Sequence, residues 1–596
     1  MCGINGFIGT NPTKITEMNK SLFHRGPDFS GTFIDDHVSL GHTLLSIREV
    51  ADSSKQPYTK ENSPWILLFN GQIYNTEQLK KDLPNSYTSV SLDTAILFAA
   101  IEKYGWDFIT KIHGMFAIAL YNKNEQAIKL YRDPSGQKHL YYYQYNGQFI
   151  FSSEIKGILA FGDIDKTIDE EAISLSLNFG YLFGNKTIFS RIKKLEVSSC
   201  LSYDIKNKKI SYDFFNSRAP HYYDTNPEKA FTQLINEHLL SKQEVAINLS
   251  GGLDSSILFH LMSDVGHEIT SYTTRFDIQE GNFNHDADLA TRLAKDYGST
   301  HKEILVTKDT YLENFIESYK VVEEPNYNIS LPIYFITAKQ EGRNGDHKRV
   351  ILSGDGGDEL FSGYPYYKKV DSMYSQMKLL TPPLYTILKN YRNHTHYNFK
   401  NSGDQWAFFK QFSKPPTTKN FNHLPFIAKT LEPLREMYAN REKHGGYDAM
   451  LADRFLWQAG ENFVRSDKQY MHESIEIRSP LSYHPFRLHF DTILSNDDYQ
   501  TETENKIFLR RLFTDKLPDY IIHRTEKTGW RAPIERWYDK RFKNLFLDII
   551  SNRRGGGIVD WPRIKKQLEE SDTWPGKTFH LYLSLAILAD NYNIDL

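Results

Sequence analysis

Met1-Cys2-Gly3-Ile4 opens the chain with a cysteine directly after the initiator Met, so removal of Met1 leaves a thiol and a free α-amine on one residue. A free thiol has a pKa of about 8.5 and an α-amine one of about 7.7 to 8, so the amine can take the thiol's proton near neutrality. An N-terminal Cys of this kind is a candidate acyl-transfer nucleophile that carries its own base. Taken alone, the same position is more often filled by a small residue that merely follows Met. What stands further along decides between the two.

A second constellation is Ser250-Gly251-Gly252-Leu253-Asp254-Ser255-Ser256, placed between an apolar run, Val245 to Leu249, and apolar residues at helical spacing, Ile257, Leu258, Leu261, Met262 and Val265. Its glycines let backbone amides approach an anion, and a helix N-terminus favours negative charge. The loop lacks the Lys of a Walker A motif, and Asp254 would repel phosphate unless a divalent cation lay between them, so the loop implies ATP with Mg²⁺. Ser353-Gly354-Asp355-Gly356-Gly357-Asp358-Glu359 follows another short apolar run, Val350 to Ser353. One Gly-Gly turn is more often a loop and helix cap. Two acidic, Gly-rich loops at the carboxyl edge of one sheet would suit a metal-bound triphosphate.

The elements that must position these groups change style along the chain. From Met1 to about Asp213, short apolar or alternating runs are broken by turn residues: Trp65 to Phe69 before Asn70-Gly71, Phe116 to Tyr121, Ile128 to Tyr131 before Asp133-Pro134, and Tyr141 to Tyr145 before Asn146-Gly147. These read as antiparallel strands. A helical stretch from Thr94 to Lys103 interrupts them, so the first part is a layered α and β domain. A polar, Pro-containing passage from Asn216 to Pro227 follows. Strand-like runs (Val245 to Leu249, Ile269 to Thr274, Val350 to Ser353) then alternate with helical patterns, as in an α/β doubly wound parallel sheet, and beyond about residue 370 the pattern is mostly helical. The division expected is residues 1–213 and 214–596.

At 596 residues the chain exceeds one ordinary core. With 71 basic against 74 acidic residues and a net charge of −3, it has no electrostatic footprint for nucleic acid or an anionic membrane. The start lacks a charged segment followed by an apolar one, and the longest apolar stretches, such as Leu581 to Ala589, are far shorter than a membrane span, so the cytoplasm is the expected location. Cys2 and Cys200 are too few for a disulfide framework or a cysteine metal site, and Cys200 reads as a buried small hydrophobe.

These motifs, in this order, resemble the glutamine-dependent asparagine synthetase family over nearly the whole length. The first half resembles its glutaminase domain in Met1-Cys2-Gly3-Ile4, Arg25-Gly26-Pro27-Asp28, Leu45-Ser46-Ile47, Asn70-Gly71-Gln72-Ile73-Tyr74-Asn75, Asp93-Thr94, Gly114-Met115-Phe116-Ala117, Arg132-Asp133 and Ser153-Glu154-Ile155-Lys156. The second half resembles its ATP pyrophosphatase domain in the two loops, Phe361-Ser362-Gly363-Tyr364, Glu476-Ile477-Arg478-Ser479-Pro480 and Lys527-Thr528-Gly529-Trp530-Arg531-Ala532-Pro533. The resemblance implies an α+β, four-layered αββα domain like that of N-terminal-nucleophile hydrolases, then an α/β doubly wound sheet of the adenine nucleotide alpha hydrolase type with helical C-terminal additions.

It also implies two half-reactions joined by ammonia. Cys2 would attack the side-chain amide of glutamine while Asn70 and the amide of Gly71 donate to the oxyanion. A substrate carboxylate would then attack the α-phosphorus of ATP, and ammonia would displace AMP from the acyl adenylate. Ser250, Gly251, Gly252, Ser255 and Ser256 would hold pyrophosphate, Asp254 and Asp358 would reach Mg²⁺, and Leu249, Thr274, Ser353 and Gly354 would border the nucleotide. Asp355 would lie near the acyl adenylate, Lys527 would offset charge at the α-phosphate, an internal tunnel would carry ammonia, and a homodimer is the expected assembly.

Four departures qualify the match. Leu44 stands where the family's Arg pairs with the glutamine α-carboxylate, ahead of Leu45, Ser46 and Ile47, and Gln72 replaces a Glu, while Asp93 remains for the α-amine. Were this segment a strand, Arg48 would share the face of Leu44 and serve as the substitute cation. The family's Pro-x-Leu-Asp run appears as Pro480-Leu481-Ser482 without the Asp, and Arg275 stands where a Gly is usual, which loosens the expectation of aspartate as acceptor. The leading expectation is asparagine synthesis from aspartate, glutamine (or free ammonia) and ATP. The alternatives are the same chemistry on a uronic or natural-product acid, a cyclase with a dead glutaminase domain, and a silent nucleotide-binding scaffold.

Overall fold

The computed structural model describes residues 2–48, 54–84, 92–215, 222–278, 281–342, 345–370, 410, 421–437, 445–501, 503–524, 531–554 and 556–596. Its first part is built from strands β1 (Cys2–Ile8), β2 (Phe29–Ile34), β3 (Val38–Leu44), β4 (Trp65–Ile73), β5 (Gly114–Asn122), β6 (Ala127–Arg132), β7 (Tyr141–Tyr145), β8 (Gln148–Ser152), β9 (Ile192–Lys194), β10 (Ser199–Asp204) and β11 (Lys209–Phe214). They form two antiparallel sheets, ordered β2-β3-β1-β8-β7-β9 and β11-β10-β6-β5-β4. The period-2 alternation of β4 shows the layering: Ile66 and Leu68 enter a core shared with Ile4, Leu40 and Phe151 of the facing sheet, while Leu67 and Phe69 pack outward against Ile96 and Leu97. Those two belong to the helix Asp93–Tyr104, and the helix Pro12–Ser21 covers the other sheet through Ile15 and Met18. The result is an αββα sandwich.

Asn70-Gly71, read from the sequence as a turn, lies inside β4. The strand continues because both residues pair with β5, Asn70 opposite Ala117 and Gly71 opposite Phe116. Gly71 is required by close approach rather than by a bend, since a Cβ there would fall 2.1 Å from the Met115 carbonyl oxygen.

The second part contains β12 (Val245–Asn248), β13 (Thr270–Phe276), β14 (Thr300–Val306), β15 (Val350–Leu352) and β16 (Glu476–Arg478), all parallel, in the order β14-β13-β12-β15-β16. The order reverses direction at β12, and β12 and β15 are neighbours. The loops that follow them therefore flank one crevice, which is where ligands bind in open sheets of this kind. The fifth strand, β16, lies in the part read from sequence as mostly helical; three buried residues are too short a run to declare a strand without the neighbour that pairs with them. Just ahead of it, Asp453–Asn462 winds as a π-helix and runs directly into the helix Phe463–His472.

Candidate active sites

Cys2 begins β1, opposite Leu44 in register, and is buried. Its backbone N–H donates to Asn70 Oδ1 at 3.0 Å, and Asn70 Nδ2 is buried with no hydrogen-bond partner. Burial pushes the Cys2 thiol up, opposed first by the positive amino terminus and then by a hydrogen bond from the Leu45 backbone. Cys2, Leu45, Ser46, Ile47, Arg48, Gly71, Gln72 and Asp93 line one pocket. Asp93 opens its helix and accepts from its own helix's Thr94 N–H at 2.9 Å and from Ile73 N–H at 3.3 Å; burial raises its carboxyl, and the charge of Arg48 is the largest opposing influence.

Arg48 reaches this pocket without being on a strand. β3 ends at Leu44, and the residues after it turn away, with Ser46 N–H donating to Asp28 Oδ2 at 2.8 Å. Arg48 then donates to the Ile73 carbonyl at 3.3 Å, beside the residues that follow Gly71.

The second site is a cleft of about 380 Å³ at the carboxyl ends of β12 and β15. Leu249, Ser250, Gly252, Asp254 and Ser255 line it from the first loop, and Ser353, Gly354, Asp355 and Asp358 from the second. Gly252 caps the helix Leu253–Asp264, and the Ser255 hydroxyl meets Ser250 Oγ at 3.0 Å and accepts from Ser250 N–H at 3.1 Å, which folds the loop into a cup. Asp355 accepts from Ser353 Oγ at 2.6 Å and from Asn462 Nδ2 at 3.2 Å, so its carboxylate is fixed from both sides.

Asp254 and Asp358 converge on one cation, the Lys506 ammonium, at 2.5 Å from each. Gly357 permits this, because a Cβ there would fall 2.4 Å from the Asp254 carboxylate. Two hard oxygen donors aimed at one point fit Mg²⁺, which takes one or two carboxylates and completes its octahedron with phosphate and water. Among the described residues no cluster of three or more His, Cys, Asp or Glu could hold a metal.

Several sequence-derived assignments land elsewhere. Thr274 does not border the cleft: β13 runs on to Phe276, so Thr274 is embedded mid-strand opposite Ile304, its hydroxyl 3.3 Å from that of Thr337. Tyr272 and Thr273 line the cleft instead. Ser256 is wholly buried in the helix, and Gly251 sits behind the cup at φ +69°, its carbonyl accepting from Arg524. Arg275 turns away to Glu303 and Asp288, so it does not crowd the nucleotide. Lys527 lies outside the described residues. Lys506, Arg510, Arg524 and Arg465 also line the cleft, and an isolated basic residue far from the loops carries no signal of this in one sequence.

The two sites share a wall. Glu476 of β16 lines the Cys2 pocket while the next residue, Ile477, lines the two-loop cleft, as the alternation of a strand dictates. Burial would raise the Glu476 carboxyl, but Arg478, the amino terminus and Lys138 together outweigh it and hold the group down at about 2. Around this wall the two parts are bolted by buried ion pairs. Arg25 donates to the Cys2 carbonyl at 3.1 Å, to Glu154 at 2.7 Å and across the interface to Asp467 at 3.0 Å, where Lys138 also binds.

Residues 1–215 match a family described as glutamine amidotransferase domain, and residues 227–590 match asparagine synthase, the latter over more than half of the chain. The chain belongs to the asparagine synthase family. It is similar to asparagine synthetase [glutamine-hydrolyzing] 1 of Bacillus subtilis, 27% identical with 96% of this chain and 93% of that protein covered. It is 31% identical to putative asparagine synthetase [glutamine-hydrolyzing] 2 of Methanocaldococcus jannaschii over 61% of this chain and 76% of that one. Amidase chry2 of Gibberella zeae is 27% identical over 94% of this chain and 93% of its own. As a member of the asparagine synthase family the chain is an enzyme of the ligase type, with an amidotransferase domain ahead of its synthetase domain. Among the described residues no helix is long and apolar enough to cross a membrane.

Proposed function

We propose that the chain is a glutamine-hydrolysing, ATP-dependent amidotransferase that converts aspartate to asparagine. The observation that carries this reading is the shared wall: a Cys2 pocket and a two-loop nucleotide cleft are separated by one strand.

In the glutaminase pocket, Cys2 freed of Met1 passes its thiol proton to its own α-amine and attacks the side-chain amide carbon of glutamine. Asn70 Nδ2, buried and unpartnered, and the amide of Gly71 receive the oxyanion. Arg48 pairs with the substrate's α-carboxylate and Asp93 with its α-ammonium. Ammonia leaves as the acyl-thiol forms, and water then releases glutamate. β16, whose Glu476 and Ile477 line the two sites, is the wall that ammonia would pass.

In the cleft, the Ser250–Ser255 cup, Lys506, Arg510 and Arg524 hold the triphosphate, and Lys527 offsets charge at the α-phosphate. Asp254 and Asp358 would hold Mg²⁺, which when bound neutralises charge on the leaving pyrophosphate. The aspartate β-carboxylate displaces pyrophosphate from the α-phosphorus, and ammonia displaces AMP from the resulting acyl adenylate, losing one proton. The family's Asp is missing from the run that begins Pro480-Leu481-Ser482, and Ser482 there donates to the Asp355 carbonyl at 3.0 Å, which favours a second reading in which another carboxylic acid takes the place of aspartate.

The test is aspartate-dependent formation of AMP and asparagine with Mg·ATP and saturating ammonium chloride. Equimolar AMP and asparagine are expected. Folded protein that makes no AMP above the aspartate-free background would overturn the assignment of aspartate.

A further inference from the structure

Arg465 is 2% exposed and lies on the first turn of the helix Phe463–His472, at the side of the cleft where Asn462 holds Asp355. Two contacts fix it, and one of its partners is itself braced. Its Nε donates to Glu461 Oε1 at 3.0 Å, its guanidinium lies 3.8 Å over the Tyr334 ring, and Glu461 is in turn held by Asn326 at 3.3 Å and Asn328 at 3.2 Å. Arg465 and Tyr334 both line the cleft. None of these contacts uses NH1, which is buried with no hydrogen-bond partner. A buried guanidinium N–H left unpaired is costly and calls for a ligand. Asn462, which lines the same cleft, likewise has its Oδ1 buried and unpartnered.

The phosphate-binding loops have their own cations, Lys506, Arg510 and Arg524, which line the same cleft. A rigid guanidinium that offers a free N–H beside Asp355 suits a carboxylate held in a fixed orientation. We propose that Arg465 is a specificity-determining residue that binds a second, non-reacting carboxylate of the acceptor, so that the enzyme selects small acids with two carboxylates over monocarboxylic acids such as uronic acids. Asn462 Oδ1 then accepts from an amino or hydroxyl group on the same substrate. This rests on the amidotransferase reading and adds to it a requirement on the acceptor that the reaction chemistry does not impose.

The experiment deletes each partner separately. AMP formation is measured with Mg·ATP and saturating ammonium chloride, using aspartate and 3-aminopropanoate, which is aspartate without its α-carboxylate. The wild-type chain should prefer aspartate in kcat/KM by roughly 10- to 150-fold, the worth of a charge-assisted hydrogen bond. Arg465→Gln should lower kcat/KM for aspartate by a similar factor, mainly through KM, while leaving 3-aminopropanoate and the KM for ATP unchanged. Arg465→Lys should recover part of the loss.

Equal losses for both acceptors would overturn the proposal and leave Arg465 a structural residue. So would a wild-type chain that uses glucuronate or 3-aminopropanoate as well as aspartate, a result that needs no variant to fold. AMP formation with no acid at all would sink the amidotransferase reading itself, a different outcome from either of these.

Discussion

Gly71→Ala tests the oxyanion assignment at a position where the structure sets the size of the perturbation. An added Cβ would stand 2.1 Å from the Met115 carbonyl oxygen and 2.8 Å from Phe116 Cα, and real Cβ contacts essentially never fall below 3.0 Å. Both obstacles are backbone atoms of β5, held by the β4–β5 ladder, so neither can swing aside as a side chain would. β4 must therefore lift by about 0.9 Å at this point to reach the 3.0 Å limit. The movement carries Asn70 and the Gly71 amide together, while Cys2 stays anchored in β1. A misplacement near 1 Å costs on the order of 10²-fold, and loss of one oxyanion donor roughly 10²- to 10³-fold in kcat. Glutamate release from glutamine should fall by roughly 10²- to 10³-fold in kcat. Ammonia-dependent AMP formation should be unchanged, because the cleft's loops come from the other sheet. Glutaminase activity equal to wild type in a folded variant would refute the reasoning. Loss of both activities together would assign Gly71 a purely structural role.

Three further outcomes follow from the same geometry. Arg48→Ala should raise the glutamine KM by roughly 10- to 150-fold and leave ammonia-dependent synthesis intact; an unchanged KM would remove Arg48 from the pocket's recognition of glutamine. Asp254→Asn should lower ammonia-dependent AMP formation by at least about 10²-fold at any Mg²⁺ concentration while glutamine hydrolysis continues, and full activity at ordinary Mg²⁺ would deny it a role in metal binding. Burial pushes the Glu237 carboxyl up to about 7 against hydrogen bonds from Gln233, Tyr222 and Tyr223. The folded chain thus keeps a proton that the unfolded chain releases near pH 4.5, so this contribution is complete below that pH and is lost as pH rises through about 7. The loss is at most about 3 kcal/mol, and Glu237→Gln should flatten the dependence of chemical denaturation on pH over this range.

Much of the site was legible because its chemistry is carried by contiguous residues. The two Gly-rich loops sit where strands were expected to end, and Tyr141 to Tyr145 is a strand with the boundaries that its alternation and the following Asn146-Gly147 indicate. Where short-range signals conflicted with pairing, pairing prevailed. The turn-like Asn70-Gly71 is held straight by β5, and Thr274 is buried mid-strand because β14 extends the ladder to Phe276.

The amino-acid sequence by itself determined the order of the parts: a nucleophile at residue 2, an antiparallel layered unit, a strand-loop-helix nucleotide unit and a second acidic loop. Those features depend on local periodicity and on groups adjacent in the chain, which one sequence displays directly. Only the tertiary structure decided which distant residues complete each site. Lys506 comes from 252 positions away to join Asp254, Glu476 crosses from the second part of the chain to line the Cys2 pocket, and Arg465 is left with an unpaired N–H in the cleft. Contacts of that kind are fixed by sheet order and packing, where neighbours in space are remote in sequence and a lone charged residue looks the same whether it faces water or a substrate.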